Sequence, residues 1–129
     1  MKTNFKWLPK GAVLAMHARQ LAEHGGGTGI RDEGLLESAL QRPQNKLEYE
    51  QPDIADLAAA YAYGIARNHP FVDGNKRTAL VAARTFLLLN GFQITAPKED
   101  RVRTFLALAS GNLSEAELAA WFRNYKIAI

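Results

Sequence analysis

Residues 69 to 77 read His-Pro-Phe-Val-Asp-Gly-Asn-Lys-Arg, and side chains of several chemistries crowd into them. His69 can take or give a proton near neutral pH, which few side chains do. Asp73 offers a hard oxygen ligand suited to Mg²⁺. Gly74 and Asn75 open a helix, so their backbone N–H groups are expected to point outward, unpaired, toward an anion. Lys76 and Arg77 then place two full positive charges in the first turn of that helix. The position is electrostatically wrong for them. A helix N-terminus carries partial positive charge, and each cation there costs about a few tenths of a kcal/mol. A docked phosphate would reverse that sign. Local rules broken without local compensation tend to mark functional sites.

Each residue also has an ordinary structural use. Asp73 can be a simple cap and Asp73-Gly74 a simple turn. Lys76 can be a solvated side chain, Arg77 can lie over apolar surface, and Phe71 fits a core position. Their concentration at the mouth of one apolar helix favours a site. Other candidates are weaker. Gly25-Gly-Gly-Thr-Gly29 looks like a phosphate loop but lacks the trailing Lys-Ser/Thr, so it reads as a connection. His17 shares the apolar face of the first helix and reads as core. His24 sits at that helix's C-terminus, where a cation is favourable. The three histidines show no metal-ligand spacing. Arg84 lies on the face of Arg77, two turns on, and reads as a surface arginine.

The elements that must position these residues are helical. A first helix opens at Pro9 and carries Val13, Leu14, His17 and Leu21 on one face, stopping at His24 and the glycines. Asp32 caps a short second helix through Leu35, Leu36, Ala39 and Leu40, which Pro43 is expected to end. Gln44 to Pro52 reads as a loop or small hairpin. Asp53 caps a third helix that ends near Asn68, ahead of Pro70. A fourth runs from Asn75 to Asn90, closes at Gly91, and is apolar almost all round, which marks it as the central buried helix. Phe92 to Ala96 is a short extended link. Pro97 opens a fifth helix through Val102, Phe105, Leu106 and Ala109. Ser114 and Glu117 make a capping box for a sixth. The expected fold class is all-α: a compact bundle of about six helices in one domain, 1–129, around a central buried helix.

Composition bounds the function. The 129-residue chain is 47% apolar, enough for a core, and has no cysteine, so no disulfides, thiolate zinc site or cysteine nucleophile. The net charge of +3 and pI of about 9.3 permit an acidic partner. The basic residues are scattered, however, which argues against direct nucleic-acid binding. No apolar run suits a signal peptide or a membrane span, so a cytoplasmic protein without membrane contact is expected.

The stretch His69 to Arg77 resembles the Fic/Doc signature His-Pro-Phe-x-Asp/Glu-Gly-Asn-Gly-Arg-x-x-Arg. The flanks, Gly29-Ile-Arg-Asp-Glu-Gly-Leu-Leu-Glu-Ser-Ala-Leu40 with Arg42-Pro43, and Arg67-Asn68 before the motif, are similar too. Two positions depart from it. Lys76 replaces the third glycine and Leu80 the final arginine. In adenylylating Fic enzymes that glycine lets the backbone wrap the phosphates. Asn-Lys-Arg-Thr-Ala-Leu is instead similar to the death-on-curing (Doc) branch, toxins of type II toxin–antitoxin pairs.

The resemblance implies a toxin that inhibits translation by moving the γ-phosphate of ATP to a hydroxyl of a protein target, a translation elongation factor of the Tu type. It implies ATP and Mg²⁺ as co-substrate and ion. It also implies a small Phd-like antitoxin bound through its C-terminal segment. By the same resemblance His69 is the general base and Asp73 holds Mg²⁺. Gly74 and Asn75 face the anion, Lys76 and Arg77 bind phosphates and stabilise transferred charge, and Arg67 shapes the nucleotide site. Gln44 to Tyr49 matches the flap that holds a target as an added strand. Pro70 and Gly74 are more Fic-like, which keeps an adenylyltransferase as the alternative. An inactive Fic-fold binding module is a further one. A self-inhibitory helix motif fits Thr95 to Glu99 only partly and is read as chance.

Overall fold

The computed structural model describes residues 4–129; the remainder of the expected domain, residues 1–3, lies outside the described residues. Six helices and a two-stranded ribbon follow in the order α1 (Lys10–His24), α2 (Glu33–Tyr49), α3 (Ile54–Asn68), α4 (Asn75–Leu89), β1 (Phe92–Ile94), α5 (Lys98–Ala109), α6 (Glu115–Tyr125) and β2 (Lys126–Ala128). The expected all-α class holds. Two helix starts are reciprocal boxes: Asp53 with Asp56 at α3, and Ser114 with Glu117 at α6. Asp32 accepts the Leu35 N–H at the start of α2.

The central helix is α3 rather than α4. Eleven of the 15 residues of α3 are buried, six of them alanines, and it packs against α2, α4, α5 and α6. Small side chains let four neighbours approach one axis. At Gly64 a Cβ would stand 3.1 Å from the Ala39 Cα and Cβ, so glycine sets the α2–α3 spacing. α4 is apolar in sequence but two-faced in place. Ala79, Ala82, Ala83, Phe86 and Leu87 are buried, while Arg77, Arg84, Leu88 and Leu89 are exposed.

Helix α2 does not stop at Pro43. It continues to Tyr49, with Pro43 buried inside it. Proline forfeits the bond to the Ala39 carbonyl. The turn beyond is held by tertiary contacts instead. Leu47 packs on the core, and Arg42 and Lys46 pair with Glu115 of α6 at 2.5 and 3.4 Å. Residues 44–49 are therefore helical. Their N–H groups are committed within α2, and the expected strand-adding flap is not there.

The extended link after α4 is β1, paired antiparallel with β2 in the register Phe92↔Ala128 and Ile94↔Lys126. Thr95 follows in extended chain and bonds the Tyr125 carbonyl, so Thr95 to Glu99 is not one helix. On α5, Phe105 and Leu108 face the core, while Val102 and Leu106, expected inside, are half exposed. Among the described residues no helix is long and apolar enough to cross a membrane.

Candidate active site

The site is built where α3 hands the chain to α4. Beyond Asn68 the backbone turns left-handed at His69 (φ 50°, ψ 56°), the one non-glycine positive φ among the described residues. Helices often close with such a residue, normally glycine. A side chain there costs about 1–2 kcal/mol. His69 is exposed, as proton exchange with a substrate requires.

The loop that follows is held from below. Phe71 is 1% exposed, and both its backbone groups bond the Asn75 side chain: its N–H donates to Oδ1 at 2.9 Å, and Nδ2 donates to its carbonyl at 3.0 Å. The His17 ring stacks on the Phe71 ring, centroids 3.8 Å apart and nearly parallel. Its Nε2 lies 2.7 Å from the Asp73 carbonyl. A carbonyl only accepts, so Nε2 carries the proton. His17 is thus buried, as expected, but it also supports the motif loop from α1.

On the other side lies the glycine stretch. A Cβ on Gly26 would fall 2.7 Å from Asp73 Oδ2, and one on Gly27 2.9 Å from Val72 Cγ1. The Val72 N–H donates to the Gly29 carbonyl, and Ile30 forms an antiparallel bridge with Phe71. Gly26 lets the chain pass against the Asp73 carboxylate, and Gly27 lets it pass against Val72.

Seven residues, His69, Val72, Asp73, Gly74, Asn75, Lys76 and Arg77, line one cleft of about 270 Å³. The anion-facing amides differ from expectation by one position. The Gly74 N–H is taken by Asp73 Oδ1 at 2.8 Å, and the Asn75 side chain is spent on Phe71. Helical bonding begins at Thr78 N–H to the Gly74 carbonyl, and Gly74 gives no side-chain cap. The N–H groups of Asn75, Lys76 and Arg77 are therefore the ones without intrahelical partners. Neither Lys76 nor Arg77 forms an ion pair among the described residues.

Arg67 is not part of this cleft. Its Nη1 points to the Ala109 carbonyl at the end of α5, at 3.4 Å, beside Gly111. The expected role in nucleotide binding is not supported by its position; the side chain sits over the α5–α6 turn. A residue given no role by its sequence, Arg31, lies instead across the end of α3, with Nε 2.7 Å from the His69 carbonyl and Nη2 2.8 Å from that of Asn68. Only its place in the flanking motif pointed to it.

No group of three or more His, Cys, Asp or Glu side chains able to hold a metal occurs among the described residues. The site fits Mg²⁺ in a different way. That ion keeps several waters and takes one or two carboxylates plus substrate phosphates. Asp73 is exposed, and with Oδ1 engaged by Gly74 its Oδ2 is the oxygen left to bind.

The family model described as Fic/DOC family matches residues 7–87, which include the whole cleft. The chain is 35% identical over 112 residues to the protein named Protein kinase doc of Escherichia phage P1, covering 86% of this chain and 88% of that one. It is 50% identical over 74 residues to the protein named Toxin Doc of Mycolicibacterium smegmatis, covering 56% of this chain and 57% of that one, so this second match spans little more than half of the relative. Fold, motif and these similarities agree, and the chain belongs to the Fic/DOC family, on its Doc branch.

Proposed function

We propose that this protein is a Doc-like toxin kinase, its 129 residues acting as one cytoplasmic domain that transfers the γ-phosphate of ATP to a hydroxyl of a protein target. The observation that carries the reading is the convergence, in one cleft, of an exposed histidine, a carboxylate, three unpartnered amides and two unpaired cations. The relative from phage P1 bears the name of a protein kinase, which supports the same class of chemistry.

In this reading the target hydroxyl oxygen bonds to the γ-phosphorus as the bond to the β–γ bridging oxygen breaks. ADP leaves, and the hydroxyl proton passes to the His69 imidazole. The Asn75, Lys76 and Arg77 amides and the two cationic side chains hold phosphate oxygens and meet the charge that spreads over them in transfer. Asp73 would hold Mg²⁺, which when bound neutralises phosphate charge. Such catalysis is mostly positioning and charge stabilisation, and the cleft offers both.

The target is a translation elongation factor of the Tu type, and the controlling partner is a small Phd-like antitoxin bound through its C-terminal segment. Direct nucleic-acid binding and membrane association form no part of this reading. Because residues 44–49 are helical, they hold the target through side chains rather than as an added strand.

Pro70 and Gly74 favour one second reading, AMP transfer. Lys76, a half-buried lysine where adenylylating relatives carry glycine, weighs against it. ATP labelled at the γ- or the α-position separates them. Label from the γ-position on the target is expected. Label from the α-position establishes adenylylation, and neither label leaves a binding module.

A further inference from the structure

We propose that Arg31 is a positioning residue for His69, an inference that rests on the reading of His69 as the base. Three consecutive carbonyls, those of Asn68, His69 and Pro70, all accept hydrogen bonds from this one residue. Nη2 donates to the Asn68 carbonyl at 2.8 Å and Nε to the His69 carbonyl at 2.7 Å. The Arg31 backbone N–H donates to the Pro70 carbonyl at 2.7 Å.

The geometry of those carbonyls defines the conformation of His69. The Asn68 carbonyl lies in the peptide plane before the His69 Cα, and the His69 carbonyl in the plane after it. The angles between those planes are φ and ψ of His69. A guanidinium is planar and rigid, so two of its N–H groups hold both planes at once. The held conformation is one the chain would not keep alone. A left-handed residue other than glycine is strained, and a residue before proline is driven toward extended backbone. Release of the two carbonyls lets His69 extend, and its Cα–Cβ bond then leaves the direction of the cleft.

The choice of residue type fits the role. These carbonyls end α3, where partial negative charge accumulates and a cation is favoured. Arg31 has no carboxylate partner among the described residues, so its charge is committed to the backbone. It is held at its base by the Ile30–Phe71 bridge and by the Asp32 N–H, which also donates to the Pro70 carbonyl at 3.1 Å. Among the described residues the hydrogen bonds of Arg31 reach the cleft lining only at the His69 carbonyl, so its proposed action is on geometry and not on the nucleotide.

The test compares wild type with Arg31→Ala, Arg31→Lys and His69→Ala. The His69 backbone is read by its Cα chemical shift and its N–H to Hα coupling. Transfer of γ-labelled phosphate to a Tu-type elongation factor gives kcat and KM for ATP. For Arg31→Ala we expect kcat to fall about 100-fold. We expect KM for ATP to stay within about 2-fold and thermal melting to stay near wild type. The His69 signals should leave the left-handed values. Millimolar guanidinium should restore part of kcat, and Arg31→Lys should fall between. Should Arg31→Ala fail to fold, Arg31→Lys decides by the same readings.

Unchanged His69 backbone signals, an unchanged kcat, or a rise in KM that accounts for the loss would each overturn the proposal. If His69→Ala transfers phosphate at the wild-type rate, His69 is not the base. The backbone signals then still decide whether Arg31 holds it.

Discussion

Two clefts of this molecule are of similar size and both are lined by cations, yet their charges are paired differently. One, about 290 Å³, lies between α2 and α6 and contains Arg42, Lys46 and Glu115. There the charges are answered from within. Arg42 and Lys46 both pair with Glu115, whose side chain is 15% exposed, and the Arg42 guanidinium lies 5.0 Å from the centre of the Tyr63 ring. The other, at the start of α4, holds Lys76 and Arg77 with no carboxylate paired to either among the described residues, beside three amides without intrahelical partners. A cation cluster that supplies its own anion braces the fold. In the proposed function, the one that leaves its cations unanswered takes an anion from outside.

That contrast predicts opposite outcomes for single substitutions. Arg77→Ala should lower kcat for phosphate transfer by about 10²–10³-fold, the size of losing one preorganised charge-stabilising donor. Its melting temperature should match or slightly exceed wild type, because a charge opposed to the helix dipole is gone. Steady-state kinetics and a thermal melt on one sample decide it. A drop in stability comparable to the drop in rate would erase the distinction between the clefts.

Gly26→Ala tests the support of the carboxylate. A Cβ 2.7 Å from Asp73 Oδ2 must displace it, at a residue whose φ of 124° already disfavours a side chain. Disturbing the surroundings of a metal-binding group typically weakens binding about 10–100-fold, and the Mg²⁺ concentration for half-maximal activity should rise accordingly. A titration of activity against Mg²⁺ measures this.

Glu115→Ala reverses the pattern. It strands Arg42 and Lys46 and should destabilise the fold by about 1–2 kcal/mol in urea unfolding, with kcat of the folded protein unchanged. The smallest effect is expected at Asp53. Hydrogen bonds from Arg123 hold its carboxyl down to about 2, below the ordinary 3.8. A depressed carboxyl contributes stability above its unfolded pKa and loses it as pH falls through the folded one. Stability from this pair should therefore be full above about pH 4 and decline toward pH 2, where protonation of Asp53 releases Arg123. Asp53 is 48% exposed, so solvent screening keeps the contribution small. Unfolding measured against pH in wild type and Asp53→Asn should show that acid slope reduced in the variant.

Much of this was legible in the sequence, and the failures have physical reasons. The caps at Asp32, Asp53 and Ser114 are local hydrogen bonds between residues three apart, so they could be read directly. Pro43 misled because its penalty is local while its compensation comes from Glu115, 72 positions away in the chain. The centre was misplaced from α3 to α4 because burial depends on how many neighbours pack on a helix. Alanines that make room for four of them look less apolar than a leucine-rich stretch with one wet face. At the site, residue types gave the chemistry, but the hydrogen-bond ledger had to be seen. Asn75 turned inward to Phe71, Asp73 occupied the Gly74 amide, Arg67 reached the Ala109 carbonyl, and Arg31, far off in the chain, reached the carbonyls of Asn68 and His69.

The central claim is that the unanswered charges at the start of α4 receive the phosphates of ATP for transfer of the γ-phosphate. Its most direct test is the intact mass of a Tu-type elongation factor after incubation with ATP, Mg²⁺ and either the wild-type protein or Arg77→Ala. The account predicts the gain of one phosphate with wild type and almost none with the variant. Gain of an AMP, or equal phosphate gain with both proteins, would contradict it.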